Sequence, residues 1–174
     1  MLCKARGART QGFTAAAPAV EIARTAVMLL HPIAALTLIW LFAKQRRWRK
    51  EGRLLKGAER SAALESHQVT GDRMMAAVLG VIALAFTAQL ARAQFDGVDA
   101  TAYLVPGHFH GWAGLLGLAL MLNLWRMGRK TRNQKAEGQS FARSKEMHGK
   151  ISDLMMTLVF IHAFLGFLYL FAIL

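Results

Sequence analysis

One cysteine occurs in the whole chain, Cys3, which excludes an intrachain disulfide and a thiolate cage for a metal. It reads as an incidental thiol. Acidic residues are also sparse: 10 Asp and Glu stand against 22 Lys and Arg, a formal net charge of +12. No P-loop, no G-x-S-x-G elbow and no H-E-x-x-H pair occurs, so the common nucleotide, serine-hydrolase and zinc-protease chemistries have no seat. Charged residues of either sign are missing from four long stretches: between Arg24 and Lys44, between Arg73 and Arg92, between Asp99 and Arg126, and from Leu154 onward. With no acid inside any of them, a lipid- or ion-handling role has little support.

What fills those stretches is apolar, and 55% of the chain is hydrophobic. Each approaches or exceeds the roughly 20 residues that cross a bilayer as a helix. None shows strict period-two alternation, and in lipid the backbone must satisfy its own polar groups, so helices are expected rather than barrel strands. The expectation is an all-α integral membrane four-helix bundle, up-down-up-down, with spans at about 25–43, 74–91, 103–125 and 151–173 in a domain of residues 25–174. Residues 1–24 stand apart. Met1–Val20 contains Ala and Arg and no acid precedes Glu21, a composition that suits a transit-like segment or an amphipathic arm along the membrane surface.

The cations cluster between the apolar runs. Lys44 to Ser66 holds Lys44, Arg46, Arg47, Arg49, Lys50, Arg53, Lys56 and Arg60; the segment after the third run holds Arg126, Arg129, Lys130, Arg132, Lys135, Arg143, Lys145 and Lys150. The connection Phe95–Ala102 carries Asp96 and Asp99 and no cation. The positive-inside rule then predicts both basic loops in the cytoplasm or a plastid stroma, and both termini on the other side. That fits a bacterial inner membrane or a thylakoid or other plastid membrane. Lys4, Arg6, Arg9 and Arg24 run against this orientation. Because the charge flanks apolar helices, membrane orientation accounts for it better than nucleic-acid binding. Such loops are attracted to anionic headgroups of the lipid bilayer, and they suit docking of an acidic electron carrier or subunit.

The histidines carry the chemistry. His31 and His110 each lie about seven residues, roughly 10 Å, into the first and third spans from the same side. His67 precedes the second span and His148 the fourth, both at the basic side. Intramembrane histidines are costly without partners, and matched depths predict the pairs His31 with His110 and His67 with His148 across the diagonals of a bundle. A neutral imidazole is a natural ligand for haem iron, and two of them leave no open position, which suits electron transfer rather than oxygen binding. Gly107, His110, Gly114 and Gly117 follow helical spacing, an expected groove in which a flat macrocycle could lie, or a face where helices approach closely. His108 points to another face and is a substitute for His110 if the helix is rotated. His162, fourteen residues after His148, is expected to be a buried hydrogen-bonding residue with Thr87, Gln89 or Asn123 for company.

The order of these motifs resembles the four-helix core of the cytochrome b561 family, and a related four-helix membrane family of cyanobacteria and plastids. The resemblance is carried by Leu30-His31-Pro32 with Trp40 and basic residues to Arg49, by His67-Gln-Val-Thr-Gly71, by His110-Gly-Trp-Ala-Gly114, and by Ala142-Arg143, His148 and His162-Ala-Phe-Leu-Gly166. It covers about Leu30 to Gly166. It implies two haem b groups ligated by the same four histidines, and electron transfer across a membrane, often from a small reductant such as ascorbate. The chain departs from the family at His162, where Asn or Gln is usual, at Ser152, and in the polar Gln68, Thr70, Asp72 and Arg73 after His67.

A second function class fits the same small size and basic loops: an accessory subunit of a larger membrane complex, plausibly photosynthetic, or a homodimer. There the histidines would ligate chlorophyll or merely pack.

Overall fold

The computed structural model describes residues 18–173. Cys3 and most of the expected N-terminal segment lie outside them. All four elements are α-helices: α1 (Pro18–Glu51), α2 (Gly57–Asp96), α3 (Phe109–Ala136) and α4 (Ala142–Ile173). Turns at 52–56 and 137–141 join α1 to α2 and α3 to α4, and a longer loop, 97–108, joins α2 to α3. The two turns therefore share one end of the bundle, the turn end, and the loop marks the other, the loop end.

Local chemistry sets the boundaries. Arg49 and Lys50 in the last turn of α1 complement the helix dipole. Gly97 stops α2 in the left-handed conformation at φ 66°, its N–H returning to Ala93 and Gln94 carbonyls. α1 packs on α2 and α3 on α4 most extensively; α2 with α3 and α1 with α4 close the ring, and the diagonal pairs make no backbone contact.

The packing is thin inside and apolar outside. Among the described residues no large side chain is wholly buried, and the core is Phe42, Met74, Met75, Met121, Leu124 and Met155. Leu36, Trp40, Phe164 and Phe171 are 61–69% exposed. An apolar exterior over so polar-poor a length is the surface that lipid covers. α1, α2 and α4 are long and apolar enough to cross a membrane. α3, at 28 residues, is long enough but less apolar than these three, and it starts later than the expected third span. Residues 103–108 belong to the loop, so the apolar part of α3 begins at Phe109 and ends against Arg126.

The basic loops also differ from expectation. α1 runs on through the cations to Glu51, α2 starts at Gly57, and α3 and α4 extend likewise. Hydrophobic runs report only the lipid-matched part of a helix, while helices continue wherever polar residues still propagate them. At 40 residues α2 is about 60 Å long, twice the ~30 Å hydrocarbon layer. Most of the positive charge sits on helical extensions at the turn end.

Candidate functional site

Two histidine pairs span the diagonals. At the loop end His31 of α1 and His110 of α3 have ring centres 6.2 Å apart with planes at 78°. At the turn end His67 of α2 and His148 of α4 stand at 6.3 Å and 84°. Two imidazoles on opposite sides of one metal, each bonded at about 2 Å, have ring centres roughly 6 Å apart. Along α4 the two levels are separated by the fourteen residues from His148 to His162, about 21 Å.

Three of the four rings are anchored through Nδ1. His31 Nδ1 lies 3.3 Å from the Val81 carbonyl, His110 Nδ1 3.1 Å from that of His162, and His148 Nδ1 3.0 Å from that of Leu124. A carbonyl only accepts, so each Nδ1 donates, and the neutral ring keeps its lone pair on Nε2. That arrangement fixes both tautomer and ring direction, as it does for metal-binding histidines generally. His67 differs: its Nδ1 is buried without a partner. Its ring stacks on Trp48 at 5.6 Å, and the Gln45 amide donates to its backbone carbonyl.

Glycines explain how the rings reach the interior. A Cβ on Gly166 would lie 2.6 Å from His110 Cε1, one on Gly114 3.1 Å from His162 Cε1, and one on Gly128 3.2 Å from His148 Cε1. The expected Gly107–Gly117 groove is therefore not an open face. Gly107 precedes α3 and falls out of helical register, Gly114 seats His162, and a Cβ on Gly117 would meet Leu158 at 3.9 Å. Small residues here let α3 and α4 close on each other's histidines.

His108 and His162 also depart from expectation. His108 caps α3: its Nδ1 accepts from the Gly111 N–H at 3.1 Å, and its ring lies 3.9 Å from Tyr169. Burial first, then the nearby charges of His110 and Arg92, lowers its pKa below the ordinary histidine value. That role makes it a poor stand-in for His110. The neighbour of His162 is His110, stacked at 4.0 Å and 19°. Thr87 and Asn123 bond carbonyls of their own helices instead, Ala83 and Ala119. His31, His110 and His162 offer ligand atoms within 4.8 Å of one another.

At the turn end a cavity of about 1080 Å³ lies between the helices, large against the roughly 300–1,000 Å³ of ordinary ligand sites. Phe42, Met74, Met121 and Leu124 line it on the core side, together with His67, His148, Trp48 and Trp125. Its polar lining includes Asp72, which accepts from the Trp125 indole at 2.7 Å and pairs with Arg132 at 3.2 Å. Asp153 of α4 binds Arg46 and Arg49 of α1, the latter at 2.6 Å. The sequence hinted at these carboxylates: Asp72 and Asp153 are isolated acids at the borders of strongly basic segments.

The loop end has its own network. Asp96 pairs with Arg24 and Arg92, each at 3.4 Å, and accepts from the Tyr103 hydroxyl at 2.9 Å, which raises the Tyr103 pKa. Arg92 donates to Tyr169 at 2.8 Å. This ties α1, α2, the loop and α4 together beside the His31–His110 level.

At the turn end the residues present could hold a flat metal-bearing macrocycle: neutral nitrogen donors face each other, ring centres 6.3 Å apart, beside a cavity of about 1080 Å³. The His31–His110 pair offers the same donors at the same spacing. Comparison with known proteins finds no matching family model, no similar curated protein and no similar solved structure.

Proposed function

We propose that this membrane protein transfers electrons between the two faces of a bilayer and holds two haem b groups, one at His31 and His110, the other at His67 and His148. The observation that carries the reading is the pairing itself. Two diagonal couples stand at 6.2 and 6.3 Å, with three rings hydrogen-bonded through Nδ1 so that Nε2 is left to bind metal. Haem b held by two imidazoles supplies reversible one-electron chemistry with no open coordination position.

The chain's own residues do the rest. Backbone carbonyls of Val81, His162 and Leu124 hold the rings and their protons. Phe42 and the core methionines form an apolar layer between the two levels. The cations Arg46, Arg49 and Arg132 stiffen the turn end through Asp153 and Asp72. By the positive-inside rule the turn end faces the cytoplasm or stroma, where anionic lipid or an acidic partner meets it. The resemblance to the cytochrome b561 family points the same way.

The second reading, an accessory subunit of a larger and plausibly photosynthetic complex, is favoured by one feature. Phe160, Phe164, Phe167 and Phe171 form an exposed aromatic face on α4 that a neighbouring helix would cover as well as lipid does. One experiment separates the two. The purified full chain is reduced with dithionite, and its haem is quantified as the pyridine haemochrome. Two haems per chain with six-coordinate bands support electron transfer; bound chlorophyll, or no pigment, overturns it.

A further inference from the structure

We propose that His162 is a positioning residue for the loop-end pair: it holds the ring plane of His110 and is not itself a ligand. The inference rests on the haem reading above.

His162 acts on His110 through two groups at once. Its ring lies parallel to that of His110 at 4.0 Å and 19°, and its backbone carbonyl takes the proton on His110 Nδ1 at 3.1 Å. The first contact opposes rotation of the His110 ring about its own axis; the second fixes the tautomer. Each ring is also closed in from the facing helix, His162 over Gly114 and His110 over Gly166. A side chain at either glycine would press on the stack.

The same stacking argues against a three-histidine ion site, although the ligand atoms of His31, His110 and His162 lie within 4.8 Å. An imidazole binds metal in its ring plane, along the lone pair. Two rings stacked face to face therefore direct their lone pairs side by side rather than toward one point. His31 meets His110 at 78° and at the axial spacing, whereas His162 does neither. The Nδ1 of His162 is buried without a partner, a penalty that a purely space-filling Leu or Phe would avoid. At the turn end the ring stacked on a ligand candidate is not a histidine: the Trp48 indole lies on the face of His67 at 5.6 Å, and His148 is held by the Leu124 carbonyl over Gly128.

The test uses the full chain in detergent or nanodiscs, with haem content, low-temperature electron paramagnetic resonance of the oxidised protein and a potentiometric titration. His162→Ala is expected to keep two haems per chain while one low-spin signal and one midpoint potential shift and the other pair stays in place. His162→Phe returns a flat ring to the face of His110 and is expected to restore the parent resonance signal. Gly114→Ala, which leaves His162 intact but pushes a Cβ to 3.1 Å from its ring, is expected to shift the same signal and guards against misfolding of the alanine variant. Unchanged signals in both His162→Ala and Gly114→Ala overturn the proposal. So does loss of one metal centre from His162→Phe, since that outcome makes His162 a ligand. A parent protein that binds no haem, but one zinc or copper ion dependent on all three histidines, is visible before any variant is made and sinks the haem reading together with this inference.

Discussion

His67 and His148 face each other at 6.3 Å from α2 and α4, two helices that make no backbone contact with one another. Nothing in the direct packing of those helices holds the rings together. Their meeting depends on α1 and α3, which supply Trp48 and Gln45 on one side and Leu124 and Gly128 on the other. If one iron lies between them, His148→Ala removes one haem and leaves the second, and His110→Ala does the converse. Pyridine haemochrome stoichiometry falling from two to one in each variant is the expected result. A full complement in both rules out the assignments.

Gly166 is the tightest seat at the loop end. A Cβ there would sit 2.6 Å from His110 Cε1, closer than atoms pack, so Gly166→Ala must displace the imidazole or part α3 from α4. Overpacking of this kind costs about 1–3 kcal/mol. The expected outcome is a lower melting temperature together with loss or a spectral change of one haem. Gly80→Ala, where a Cβ meets nothing within 4 Å, is the matched control: it should leave the haem unchanged and should not lower the melting temperature.

Asp72 joins α2 to α3 through Trp125 and Arg132. The ion pair is partly exposed, so most of its worth lies in the indole hydrogen bond, about 1 kcal/mol. Asp72→Ala should lower the melting temperature by roughly 2–4 °C for a chain of this size. Asp72→Asn, which retains an acceptor for the indole, should recover most of that loss. Equal losses in the two variants would place the stabilisation in the charge instead.

His108 makes the cap of α3 sensitive to acid. Its pKa is lowered in the folded protein, so its contribution is present above the unfolded histidine value and is lost as pH falls through the folded one. Protonation of Nδ1 also removes the acceptor that holds the Gly111 N–H. His108→Ala should cost about 1 kcal/mol at neutral pH, while Asn, a good cap, should cost little. Melting temperature against pH checks this: the parent should lose stability below the histidine range more steeply than His108→Asn.

The sequence made the helices and the four matched histidines readable because apolar runs and depth along a helix are one-dimensional quantities. The structure brings His31 to His110 and His67 to His148, the couples that matched depths pointed to. Rotation about the helix axis is less readable. His162 stacks on His110 instead of bonding Thr87 or Asn123, because Gly114 of α3 leaves room for its ring. Helix ends are less readable still: Tyr103–His108 is uncharged enough to pass for the start of a span, yet the structure places it, with Pro106 and Gly107, in the loop before α3. The long helical extensions are hidden in the sequence because charged segments between apolar runs look like loops.

Five of the nine buried apolar residues among those described are methionines: Met28, Met74, Met75, Met121 and Met155. A thioether adapts its shape to irregular gaps, but it is also the apolar side chain most readily converted to a polar sulfoxide. An oxygen added to Met74, Met121 or Met155 would lie in the layer that separates the two ends. The exposed Met147 is expected to meet peroxide first, and oxidation that reaches the seam would swell a layer in which no described large side chain is wholly buried.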